Sequence, residues 1–154
     1  MDLEDVFRRH QREVYAYFLR TVGRPSEAEE LAQETFVRAC GAALRFRGDS
    51  SVRTWIFGIA RRVLLEASRA GLFERVPTPE DRSGYPPAVS AEERLDLERA
   101  LASLPPSDRE VLVMVDVLGF EPTAAAAVAG VTADTYRVRL HRARRRLREV
   151  YRDE

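Results

Sequence analysis

Residues 122–148 run PTAAAAVAGVTADTYRVRLHRARRRLR, and this stretch decides the fold class. Pro122 suits the first position of a helix, where its missing N–H costs nothing. The alanines that follow are the best helix formers, and the run predicts a short helix to Ala129. Gly130 fits the left-handed position that closes a helix. Thr132 then stands where a hydroxyl can cap the next helix, which the pattern carries to about Tyr151. Helix, tight glycine turn, basic helix is the helix-turn-helix arrangement. From Tyr136 to Arg148 there are seven arginines and no acid. The inward face is read as Tyr136, Val138, Leu147 and, in part, Leu140. In such a unit the first turns of the second helix meet base edges and its flanks meet phosphates. That puts Asp134, Thr135, Tyr136, Arg137 and Arg139 near bases, and His141, Arg142, Arg144 and Arg145 near the backbone. The plain alternative is a solvated, salt-bridged helix face, and the pattern alone does not say which DNA-binding protein this is.

Outward from that helix, the charge is unevenly spread. Between Ala91 and Glu121 acids outnumber bases by eight to three, so the formal net charge of zero hides a basic C-terminal element. All 25 basic residues are arginine. Codon bias in a GC-rich genome accounts for that simply, yet arginine forks suit phosphate and guanine better than an ammonium does. Upstream of the glycine turn, Leu95, Leu97, Leu101 and Leu104 line a helix that stops at Pro105-Pro106. Ser107 is expected to cap the following helix, which buries Val111, Leu112 and Val115.

Residues 71–90 hold Pro77, Pro79, Pro86, Pro87 and Gly84, a density that opposes helix and strand alike. This predicts a flexible linker. Before it, Leu3 to Val22 carries Val6, Phe7, Val14, Tyr17 and Phe18 at helical spacing. Ser26 with Glu29 makes a capping box for a second helix to about Cys40, with Leu31, Phe36 and Val37 inward. A third follows Gly48-Asp49-Ser50-Ser51 and carries Val52, Trp55, Ile56, Ile59, Val63 and Leu64. No stretch alternates as a strand would. The expected architecture is all-α: two small helical domains, 1–70 and 91–154, joined by the linker, the C-terminal one a helix-turn-helix.

Two N-terminal places carry chemistry. Phe46 to Arg62 mixes aromatics, arginines and small hydroxyl residues around a loop, which supplies the cationic path and lined pocket that an unstacked base needs. Trp55 and Phe57 have the alternative reading of core, the favoured one for Trp55, and the Gly48 to Ser51 loop is the better candidate for contact with an unstacked base. The helix with Glu27, Glu29, Glu30 and Glu34 has a mixed outer face, either solvated or an interface. His10 and His141 lack catalytic neighbours, and no phosphate-cradling loop, metal spacing or nucleophile motif is present. Cys40, the only cysteine, is expected to be buried, and no disulfide framework is available to one thiol. With no signal-peptide core and no apolar run near the roughly 20 residues a bilayer needs, the expectation is a cytoplasmic protein without membrane insertion, cofactor or metal, and not an enzyme.

Four segments together resemble the extracytoplasmic-function sigma factors, the smallest group of the sigma-70 family of bacterial RNA polymerase. Glu27-Ala28-Glu29-Glu30-Leu31-Ala32-Gln33-Glu34-Thr35-Phe36-Val37-Arg38-Ala39 looks like the family's polymerase-clamp helix. Ser51-Val52-Arg53-Thr54-Trp55-Ile56-Phe57-Gly58-Ile59-Ala60-Arg61 looks like its promoter-melting element, Leu104 to Leu112 opens its C-terminal domain, and Arg139 to Leu147 closes it. The resemblance implies core polymerase (its beta and beta-prime subunits) and promoter DNA as partners, with an anti-sigma factor often holding such proteins inactive. It implies polymerase contact by Glu27, Glu30, Leu31, Gln33, Glu34, Thr35 and Arg38. Minus-ten contact falls to Arg47, Gly48, Asp49, Ser50, Ser51, Arg53, Thr54, Trp55, Arg61 and Arg62. Minus-thirty-five contact falls to Thr132, Asp134, Thr135, Tyr136, Arg137, Arg139, His141, Arg142, Arg144 and Arg145. The chain departs from the family pattern at Ala124 to Ala127, where charged and branched residues are usual, and at Asp134, Tyr136 and Val138. It also lacks the frequent asparagine at Arg61-Arg62. Two other functions remain open at this point: a stand-alone helix-turn-helix regulator whose N-terminal domain only dimerises, and a degenerate sigma-like interaction module.

Overall fold

The computed structural model describes residues 1–69 and 91–152, and the linker expected over 71–90 lies outside them. The described residues form helices and turns only: α1 (Leu3–Val22), α2 (Pro25–Ala42), α3 (Val52–Arg69), α4 (Ala91–Ser103), α5 (Pro106–Leu112), α6 (Pro122–Ala129) and α7 (Ala133–Arg152). Asp2 caps α1 by accepting from the amides of Glu4 and Asp5, and Gly23 closes it in the left-handed conformation, φ 89°.

Two capping expectations need correction. Ser26 is not the cap of α2; its hydroxyl donates to Glu27, and it lies inside the helix, which starts at Pro25 after Arg24, two residues earlier than a Ser26 cap implies. Ser107 likewise lies inside α5, which opens at Pro106. In both places the fixed φ of proline suits the first helical position and draws the start forward. Thr132 caps α7 as expected, accepting from the amide of Thr135 (3.2 Å), and Ser51 caps α3, accepting from the amide of Thr54 (3.1 Å).

Three expectations about facing also change. The inner side of α2 is Ala28, Leu31, Thr35 and Ala39, at helical spacing. Val37 lies two residues, about 200°, from that stripe and is 65% exposed. Cys40, next to the buried Ala39, is exposed rather than buried. In α7 the inner stripe is Tyr136, Leu140, Ala143 and Leu147, and Val138 is turned outward by the same two-residue offset.

The core is continuous across the two halves. Phe18 of α1 and Ile56 and Phe57 of α3 belong to it, and Val111, Leu112, Val113 and Met114 join them from the C-terminal half. Phe57 meets Phe120 edge to face at 4.9 Å. Arg109, 6% exposed, ties the halves by donating to the carbonyl of Thr21 (2.7 Å) as well as to those of Leu101, Ala102 and Leu104. Its burial lowers its pKa. Beyond α5 the helix widens to a π-turn over Val113–Val117, with Leu118 N–H bonded to the Val113 carbonyl, and Gly119 (φ 75°) turns the chain.

Candidate nucleic-acid and polymerase interface

Gly130, at φ 70°, reverses the chain between α6 and α7 by donating to the carbonyls of Ala126 and Ala127. With Tyr136, Leu140 and Ala143 held inward, the rest of α7 faces solvent: Asp134, Thr135, Arg137, Arg139, His141, Arg142, Arg145 and Arg148 are exposed. Asp134 pairs with Arg137 at 3.1 Å. Since Thr132 already caps α7, the Asp134 carboxylate is left to orient that guanidinium. Arg144 is gripped by both oxygens of Asp116 (2.6 and 3.1 Å), which raises its pKa through the hydrogen bond. Arg146 is tied to Asp108. These two cations brace α7 against α5 and the turn after it. Tyr136 is a correction: at 1% exposure it belongs to the core, where burial raises its pKa, and it reaches no base.

The loop before α3 is open to solvent from Arg47 to Ser51, and Gly48 sits at φ 78°. Ser51 and Thr54 share a hydrogen bond at 3.0 Å within the α3 cap. Trp55 is half-buried, its ring 5.0 Å from Phe46, so it is neither full core nor free surface. Arg62 is exposed. Arg53 and Arg61 point elsewhere. Arg53 pairs with Glu13 (3.0 Å), donates to the Leu118 carbonyl (2.5 Å) and lies over the Phe120 ring at 3.9 Å. Arg61 pairs with Glu110 at 2.9 Å. Glu110 also helps raise the pKa of Tyr17, after the larger effect of burial. A cavity of about 340 Å³ lies at this junction, with Leu65 and Ser68 on one side and Pro106, Ser107 and Tyr136 on the other. Sequence reasoning missed Glu13, Glu110 and Phe120, and no local signal could have found them: their partners are 40 or more positions away.

On α2, Glu30, Gln33 and Glu34 are exposed, and Glu27 and Leu31 are half-buried. Thr35 is a second correction. It is fully buried, its hydroxyl donating to the Leu31 carbonyl at 2.8 Å, and has no surface to offer a partner. Arg38 bridges Glu34 (2.9 Å) and Glu66 of α3 (2.5 Å), which raises its pKa and lowers that of Glu66. A groove of about 410 Å³ runs between α1 and α2, lined by Phe7, Gln11, Tyr15, Glu29, Ala32, Gln33 and Phe36.

Residues 6–71 match the family model for sigma-70 region 2 and residues 94–147 that for sigma-70 region 4. The chain is 36% identical to the ECF RNA polymerase sigma factor SigC of Mycobacterium tuberculosis, over 92% of this chain and 79% of that one. This chain belongs to the extracytoplasmic-function sigma factors. It is also 31% identical to SigL of Mycobacterium tuberculosis, over 90% of this chain and 82% of that one. SigE of Mycolicibacterium smegmatis is 30% identical over 95% of this chain, which spans only 60% of that relative's length. In fold, the sigma factor resembles Bartonella quintana RpoE, solved in complex with the anti-sigma factor NepR (TM-score 0.82, 23% identity, 98% of this chain and 97% of that one). It also resembles CnrH, solved with the cytosolic domain of CnrY (TM-score 0.71, 24% identity, 99% and 88%). Both matches span the two halves together. Among the described residues, no group of histidine, cysteine and acids could hold a metal ion, and no helix is long and apolar enough to cross a membrane.

Proposed function

We propose that this sigma factor binds core RNA polymerase through α2, opens the minus-ten element with the loop before α3, and reads the minus-thirty-five element with α7. The observation that carries it is the outer face of α7. A helix capped by Thr132 and clamped inward by Tyr136, Leu140 and Ala143 presents Arg137, Arg139, Arg142, Arg145 and Arg148 to solvent. That is the geometry of a recognition helix, base contacts in its first turns and phosphate contacts beyond.

On α2, Glu27, Glu30, Leu31, Gln33 and Glu34 form the docking set, with Arg38 fixed by its two acids. Arg47, Gly48, Asp49, Ser50 and Ser51, all exposed, together with the exposed Arg62 and the half-buried Trp55, form the set for an extruded base. The division into 1–70, a linker 71–90 and 91–154 is part of the same proposal. The work is binding and strand opening, with the bond-making chemistry left to the polymerase, so the chain acts in the cytoplasm and not as an enzyme. An anti-sigma factor is proposed as a partner because RpoE, which shares this fold, was solved with the anti-sigma factor NepR. The test is run-off transcription from genomic fragments with core polymerase. Defined transcripts that need this protein are expected; promoter-specific DNA binding without polymerase, and no transcripts with it, would overturn the assignment.

A further inference from the structure

The outer line of α7 carries one residue that phosphate cannot use. Among the described residues of this helix, Val138 is the one large apolar side chain turned to solvent, at 49% exposure. It follows the buried Tyr136 by two residues, about 200° around the helix. It therefore stands opposite the stripe of Tyr136, Leu140 and Ala143 that holds α7 to the core. Asp134 and Arg145 share its line at helical spacing, and Arg137 and Arg139 flank it, all four exposed. Asp134 pairs with Arg137 at 3.1 Å, which fixes one of those flanks. Val138 is the sixth residue of a helix that begins at Ala133, within the two turns nearest the Thr132 cap. A helix that enters the major groove with its buried face away from DNA carries that outermost line deepest.

What a valine can meet there is narrow. Its isopropyl group neither donates nor accepts a hydrogen bond, so it offers nothing to a phosphate, a purine N7 or an amino group. Pressed against a polar base edge, it would leave that edge dry and unpaired, which costs free energy. The one apolar feature of the major-groove edges is the thymine C5-methyl group. Valine is also stiff at its single side-chain torsion, so little freedom is lost on contact. In the free chain the residue brings no gain, because valine is a poorer helix former than alanine and here it faces water.

We propose that Val138 is a specificity-determining residue that packs on a thymine methyl in the upstream promoter element. It selects thymine over cytosine, which lacks the methyl and presents an amino group instead. This rests on the assignment of α7 to the upstream element.

Deoxyuridine keeps every hydrogen-bonding group of thymine and lacks only the methyl. In a promoter fragment chosen by the run-off assay, each thymine of the upstream element, on either strand, is replaced in turn by deoxyuridine. Binding by the holoenzyme is read by competition. One replacement is expected to weaken binding by the wild-type protein about fourfold, the effect of one buried methyl group. Val138→Ala should lose a similar factor on the thymine fragment and nothing more on the deoxyuridine one, so the two changes do not add. Its melting transition should be intact, since the site is exposed and alanine favours the helix. Deoxyuridine that is silent at every position, in an element where ordinary base changes weaken binding, would overturn the methyl contact and leave α7 its assignment. Equal deoxyuridine losses in wild type and Val138→Ala would give the methyl to another residue and overturn it too. If neither base changes nor deoxyuridine mattered, α7 would lose upstream recognition, and the proposal would go with it.

Discussion

At the scale of single residues, burial separates groups that composition lumps together. Tyr136 and Arg137 are neighbours in an arginine-rich helix, yet one is sealed in the core and the other exposed. Tyr136→Ala is expected to cost about 3–5 kcal/mol, as for other large buried side chains. Tyr136→Phe should be nearly neutral at pH 7, since its hydroxyl has no hydrogen-bond partner among the described residues. Denaturant titration of both variants checks the pair. Arg137→Ala is expected to lose about 1–3 kcal/mol of promoter binding and to relax preference at one position of the upstream element. Arg142→Ala should weaken all sequences alike and lower the salt slope by about one unit. Holoenzyme binding across a salt series, with single-base variants of that element, distinguishes them. If both substitutions were silent, α7 would lose the role assigned to it.

At the scale of elements, the turn between α6 and α7 sets the direction in which α7 leaves. Gly130 holds φ 70° with open space where a Cβ would stand. Gly130→Ala should therefore cost only the left-handed backbone term, about 1–2 kcal/mol, read as a lowered melting temperature. The acidic face of α2 behaves differently. Glu30 and Glu34 are exposed, and exposed acids contribute little to stability. Glu30→Arg with Glu34→Arg should leave the helical circular dichroism intact and weaken the affinity for core polymerase in a pull-down titration. An unchanged affinity would remove α2 from the docking surface. The helices themselves were legible from periodicity, proline and glycine alone. Val37 and Val138 were misplaced because an apolar residue two positions off the stripe looks inward in composition and lies outward in angle.

At the scale of the whole molecule, the two halves share one core. Tyr17 and Tyr136 are buried beside Glu110, and burial, then that carboxylate, raises both phenol pKa values. The folded state therefore keeps protons that the unfolded chain, with phenols near 10, gives up. Stability from these groups is complete below about pH 10 and drains away as pH rises above it. Thermal melts should fall on the alkaline side, and Tyr136→Phe should flatten part of that fall; an unchanged slope would deny the coupling. Arg109→Lys should destabilise by about 1–3 kcal/mol, since an ammonium cannot span the carbonyls of Thr21, Leu101 and Leu104 and leaves buried acceptors unpaired.

The sequence by itself determined the all-helical class, the places of the helices, the glycine turn and the basic face of α7. Each of these follows from spacing or conformational preference within about one or two turns of chain. Only the tertiary structure decided that Thr35 and Tyr136 are core, that Arg144 and Arg146 are braces for α7, and that Arg53 and Arg61 turn toward the C-terminal half. Those outcomes depend on pairing residues 28 to 65 positions apart, or on which side of a helix meets a neighbour. A side chain's role there is set by the element packed against it, and that element is not written in the residues beside it.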